Sequence, residues 1–96
     1  MMTANEARTI AYDAFKTKRA HVEMVAHNTI DAIEATIQCD AEEGKFESIF
    51  HLYNYHNFIS DWEKKTYKDT LINILETNGY RAKYNHTGDY LEIKFL

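Results

Sequence analysis

Proline is absent from the 96 residues, glycine occurs three times and cysteine once. With no proline to break a helix or sheet ladder, the glycines become the main punctuation of the chain. A single cysteine, Cys39, excludes an intramolecular disulfide framework. It also excludes a structural zinc centre, which needs clustered ligands. A reducing, cytosolic setting fits that usage. No run approaches the ~18 apolar residues of a membrane span, and the first residues lack the basic and apolar regions of an export signal. The chain is therefore expected to be soluble and unexported. Basic side chains are the minority, 11 against 15 acidic ones, for a net charge of −4. That balance disfavours general nucleic-acid binding, which draws its affinity from lysine and arginine on phosphates.

What is present is ordinary for a folded domain: 45% hydrophobic and 27% charged residues, a composition that argues against intrinsic disorder. The length suits one domain, 1–96, with a thin core. Aromatic residues reach 14% and are expected to supply much of the core volume. They crowd between positions 49 and 62, where five aromatic rings and two histidines fall within fourteen residues.

Thr3-Ala4-Asn5-Glu6 is a capping box, so a helix should begin at Ala4. Apolar residues then recur at helical spacing, from Ala7, Ile10, Ala11, Ala14 and Phe15 to Val22, Val25, Ala26, Ile30, Ile33 and Ile37. Gly44 supplies the left-handed residue that ends such a helix. Residues 45–53 alternate and are rich in β-formers, which predicts a strand. Ser60-Asp61-Trp62-Glu63 is a second capping box, opening a helix that buries Tyr67, Thr70, Leu71, Ile74 and Leu75 and closes at Asn78-Gly79. Residues 80–84 and 90–95 alternate with period two, and the polar residues 85–89 between them predict a hairpin.

The expected fold is α+β: a long N-terminal helix region over 4–43, then a β-α-β-β unit over 45–96. Its three-stranded sheet would carry helices on one face. An unbroken first helix would run about 58 Å at 1.5 Å per residue, against a diameter near 30 Å for a compact domain of this size. Either it bends near residues 18–20, or its projecting half packs on another subunit. The candidate homo-oligomer surface is Ile10, Ala14, Phe15 and Val22.

The phrases Ala41-Glu42-Glu43-Gly44-Lys45-Phe46, Leu75-Glu76-Thr77-Asn78-Gly79-Tyr80 and Gly88-Asp89-Tyr90-Leu91-Glu92-Ile93-Lys94-Phe95 give most of the chain a layout that resembles small tailed-bacteriophage and prophage proteins of uncharacterised role. These share a leading amphipathic helix, a strand after a helix-ending glycine, a helix closing on a glycine-aromatic pair and a last strand ending on an aromatic. The aromatic and histidine residues at 53–58 fall outside that pattern. The resemblance implies a phage-like accessory or structural protein and carries over no catalytic residue.

No catalytic, metal or cofactor set can be assembled from the sequence. His51 and His56 are five apart and His21 and His27 six apart, so neither pair has the i, i+4 facing of a helical zinc site. Cys39 is expected to be a small half-buried side chain, too far along its helix from His27 for nucleophile and base. Asp40, Glu42 and Glu43 crowd a helix end where the macrodipole disfavours negative charge; a solvated helix end is the plainer reading beside a partner or cation site. Lys16-Thr17-Lys18-Arg19 is likewise read as a solvated stretch, with Asp13 and Glu23 near it, before a phosphate or acidic-partner contact.

The sheet carries the sharpest candidate. With Phe50, Leu52, Ala82, Tyr84, Leu91, Ile93 and Phe95 turned to the helices, alternation turns Ile49, His51, Tyr53, Arg81, Lys83, Tyr90, Glu92 and Lys94 the other way. The candidate ligand or partner surface is His51, Tyr53, Tyr55, His56, Arg81, Lys83 and Tyr90. Tyrosine beside arginine and lysine suits a protein interface or a stacked nucleotide, and it also occurs on plain solvent faces of antiparallel sheets. The expected function is non-enzymatic binding of a host or viral protein, as an inhibitor of a host enzyme or defence system. A nucleotide-signal sponge and a minor virion or assembly component are the alternatives.

Overall fold

The Thr3 hydroxyl accepts a hydrogen bond from the Glu6 amide at 3.2 Å, and from that cap a helix, α1 (Ala4–Glu42), runs 39 residues without interruption. The computed structural model describes residues 1–52, 58 and 60–96. The chain then forms β1 (Glu47–His51), α2 (Asp61–Thr77), β2 (Arg81–Asn85) and β3 (Tyr90–Lys94). The bend considered near residues 18–20 is absent; nothing in that polar turn lacks helix-forming capacity, and the Arg19–Glu23 pair at 3.2 Å spans the site. The molecule measures 63 × 25 × 17 Å, with a radius of gyration of 16.6 Å, where a compact chain of this length has ~12.5 Å.

Both helices end in the same hydrogen-bonded motif. At α1 the Gly44 amide donates to the Ala41 carbonyl and the Lys45 amide to the Asp40 carbonyl; at α2 Gly79 and Tyr80 do the same to Glu76 and Leu75. Gly44 has φ +82 and open space where a Cβ would stand, so only the backbone conformation excludes other residues. Gly44→Ala is expected to cost ~1–2 kcal/mol, the left-handed penalty, measured as a shift in the urea midpoint. A loss below a few tenths would mean that the chain leaves α1 by another route.

The sheet order is β1-β3-β2, antiparallel throughout. The side chains at Ser48, Phe50, Ala82, Tyr84, Leu91 and Ile93 turn to the helices, and the alternate positions turn away. Val22, Ile33, Leu52, Tyr67, Leu71, Leu91 and Ile93 are fully enclosed between these layers. On α2 the buried positions are Glu63, Tyr67, Leu71 and Leu75, one every fourth residue, while Thr70 and Ile74 stay half-buried at the flank.

Two expectations on α1 need correction. Val22 is 0% exposed, because the domain begins to cover α1 there; it is a core residue and not part of an oligomer surface. Cys39 is exposed, since the buried stripe passes through Ile33 and Ile37 and leaves position 39 on the outer side. No helix among the described residues is long and apolar enough to cross a membrane.

Candidate functional site

Pairing in the sheet sets nine outward side chains in three rows. Glu47, Lys94 and Arg81 lie side by side across β1, β3 and β2; Ile49, Glu92 and Lys83 form the next row, and His51, Tyr90 and Asn85 the third. Three cations and two carboxylates in this grid leave it net positive, on a chain of charge −4.

The first row is the cationic end. Arg81 and Lys94 are direct cross-strand neighbours, a like-charge pairing that costs sheet stability. The Arg81 guanidinium donates to the Leu96 carbonyl at 3.2 Å, and Glu47 flanks Lys94 on its other side. A depression of about 470 Å³ opens here, lined by Lys45, Phe46, Glu47, Arg81, Lys94 and Leu96. The exposed Phe46 ring and the neighbouring Ile49 side chain add apolar area beside the charges.

The third row is the aromatic end, and it holds Tyr90 on three sides. His51 meets the Tyr90 ring edge-on at 5.6 Å between centroids. The Asn85 side-chain amide donates to the Tyr90 hydroxyl at 3.1 Å. Gly88 lies so close beneath that a Cβ there would stand 2.3 Å from Tyr90 Cε1. Asn85 also accepts from the Thr87 and Gly88 amides through Oδ1 at 3.0 and 3.1 Å, so one side chain braces both the turn and the ring. On the other side of the hairpin the Tyr84 hydroxyl donates to Asp89, whose φ of 51 a short polar side chain tolerates. Tyr90 is thereby presented at little further entropy loss on binding.

Of the predicted surface, His51, Arg81, Lys83 and Tyr90 share this face, with His51 and Tyr90 at one end and Arg81 at the other. Tyr53, Tyr55 and His56 lie outside the described residues. Lys94, Phe46, Asn85 and Gly88 were not among the predicted site residues. The alternation already placed Lys94 on the face, and the turn-forming character of Asn85 was the available signal for its bracing role. The acidic helix end has a local explanation: Lys45 lies 3.0 Å from Glu43 and 3.7 Å from Asp40, and the Ser48 hydroxyl donates to Asp40 at 2.6 Å. The hydrogen bond and charge of Glu43, then the charge of Asp40, hold the exposed Lys45 ammonium above its ordinary pKa.

A second concavity, about 650 Å³, lies open between α1 and α2. Sequence reasoning did not foresee it; Arg19, Glu23, His27, Asp69 and Asn73 are among its lining residues, and the Arg19–Glu23 pair already neutralises part of it. Among the described residues, no three His, Cys, Asp or Glu side chains are grouped to hold a metal ion. No protein-family model, curated protein or solved structure matches the chain.

Proposed function

We propose that this is a non-enzymatic, phage-derived accessory protein that binds a host or viral protein through the open face of its sheet. It inhibits a host enzyme or defence system in the host cytoplasm, without cofactor or metal, and works as a homo-oligomer joined through the projecting half of α1. The observation that carries the binding surface is the grid itself: a braced tyrosine at one end, adjacent Arg81 and Lys94 at the other, and exposed Ile49 between them. Anchoring aromatics and arginines are the residue types that dominate interface energetics. A partner with a carboxylate-rich patch beside an apolar one would relieve the Arg81–Lys94 repulsion and cover Phe46 and Ile49. The layout of helix-ending glycines and final aromatic strand supports the phage-derived origin.

Binding is favoured over catalysis because chemistry needs a nucleophile, a base and oxyanion donors within hydrogen-bond reach of one point. Among the described residues, Cys39 sits on the outer side of α1, His21 and His27 lie further along it, and His51 and His86 belong to the sheet end and the turn.

Capture from bacterial lysate compares the wild-type chain with Arg81→Ala and Tyr90→Ala. Loss of an anchor costs 2 kcal/mol or more, about thirtyfold in affinity, so each variant should lose most of the captured protein while remaining folded, Tyr90→Ala with a lowered melting temperature from its lost contacts with His51 and Asn85. Equal capture by all three chains removes the sheet face from the proposal. The same grid pairs aromatic rings with cations, which favours a nucleotide sponge as second reading. A nucleotide at 100 times its Kd would stabilise the fold by ~2.7 kcal/mol, and a shift of that size with any member of a nucleotide panel decides for the sponge.

A further inference from the structure

Every residue of α1 from Ala4 to His21 is exposed, and burial begins only at Val22. An 18-residue helical arm standing alone in water is marginal, because most helical stability in proteins comes from packing. The arm carries Ile10, Tyr12 and Phe15 at 57%, 62% and 43% exposure; Phe15 packs on Trp62 at 4.8 Å between ring centroids. A helix packed between Ile10 and Phe15 would supply the missing burial. The charges identify it. Residues 1–21 carry four basic and two acidic side chains, whereas residues 22–43 carry six acidic ones and no lysine or arginine. A second copy of α1 laid parallel would set like charge on like; laid antiparallel, it sets each basic arm on the other chain's acidic half.

We infer that two copies of this chain pair through α1 in antiparallel register, the arm of each lying along the exposed flank of residues 24–42 of the other. The inference rests on the oligomer reading above and gives it a partner orientation and a symmetry. α1 is centred on residue 23, and pairing about that centre puts Ala7 opposite Cys39, Ala11 opposite Ala35 and Ala14 opposite Ala32. All six are exposed and none is bulky, so the two helices can approach closely along both ends of the seam. The spacing alternates four and three residues, the repeat that keeps one face turned to a partner helix. Glu23, paired with Arg19 of its own chain at 3.2 Å, falls at the two-fold axis of this isologous pairing, with Met24, 54% exposed, one residue beside it. Asp31 of the second copy comes opposite Phe15, within one turn of Lys16 and Lys18. The seam lies to one side of the stripe that α1 buries in its own domain, so neither domain has to unfold to form it.

The register has a direct test in the full-length chain, using the native Cys39. Ala7→Cys under mild oxidation should give a covalent dimer whose cross-linked peptide joins positions 7 and 39, while the wild type should stay uncross-linked because its two Cys39 thiols lie at opposite ends of the seam. Solution mass of the wild type should report a dimer whose Kd rises roughly tenfold or more as the screening length falls from ~30 to ~3 Å between 0.01 and 1 M salt. Ala14→Glu should yield a folded monomer with an unchanged sheet. A Cys39–Cys39 cross-link in the wild-type dimer overturns the antiparallel register while leaving oligomerisation in place. A strict monomer at high concentration and low salt overturns both.

Discussion

Leu71→Ala is expected to lower the unfolding free energy by about 2–5 kcal/mol, the range for deleting a fully buried leucine. Leu71 is 0% exposed and sits on α2 in the helix-to-sheet core. Among the described residues seven large side chains are fully enclosed, so the space left by one has few neighbours to collapse into it. A domain of this size has ~5–14 kcal/mol of stability in all, so the loss is at least about a seventh of the total and at its upper end consumes all of the smallest. The melting temperature should fall by roughly 10 °C or more, at ~4–8 °C per kcal/mol. Tyr12→Ala, on the projecting arm, removes a larger side chain yet should alter domain unfolding by under ~0.5 kcal/mol. Urea unfolding of the two variants checks the contrast. Equal losses would mean that the arm is part of the folding unit and that the division of α1 at Val22 is wrong.

That division also marks the limit of what the sequence made legible. Caps, helix-ending glycines and strand alternation are local physics, and they carried the element order and the inward and outward faces of all three strands. His51, Arg81, Lys83 and Tyr90 could be placed on one face for that reason. Where α1 enters the domain is a long-range matter: Phe15 and Val22 lie on the same helical stripe, but only Val22 has the core behind it, while Phe15 finds Trp62. Cys39 went astray because a small residue beside an apolar stripe carries no directional signal. The choice of β3 as the central strand is also long-range, and it decides which side chains become neighbours. Without it Arg81 and Lys94 are two separate cations; with it they are adjacent, and the site has a cationic end. Asn85 reads as turn chemistry from sequence, and its hold on Tyr90 needs the folded hairpin.

Thr29 was overlooked for another reason: a threonine within an apolar stripe looks like a defect in it. In the structure its hydroxyl lies 2.8 Å from the Val25 carbonyl and 2.8 Å from the Tyr67 hydroxyl. A carbonyl only accepts, so the single Thr29 proton goes to Val25, and Tyr67 must donate to Thr29. The two partners are therefore unequal. Thr29→Val leaves a buried phenol O–H without an acceptor and is expected to cost about 1–3 kcal/mol, whereas Tyr67→Phe leaves Thr29 bonded to Val25 and is expected to cost ~0.5–1.5 kcal/mol. The double variant should cost less than the sum of the two. Burial raises the Tyr67 pKa above its ordinary value. Thr29 opposes that rise weakly, since its hydroxyl can steady a phenolate only by leaving Val25. With the folded pKa raised, the protonated phenol's contribution is complete below the unfolded value near 10 and is lost as pH climbs through the folded value. Between those two values the wild-type stability should fall by up to ~1.4 kcal/mol per pH unit from this group. Tyr67→Phe should remove that part of the slope, leaving only the other ionisations. Urea unfolding of the wild type and both single variants from about pH 8 to about pH 11 reads all of this. Equal costs for Thr29→Val and Tyr67→Phe, or an alkaline slope unchanged in Tyr67→Phe, would show that the proton between these residues is arranged the other way.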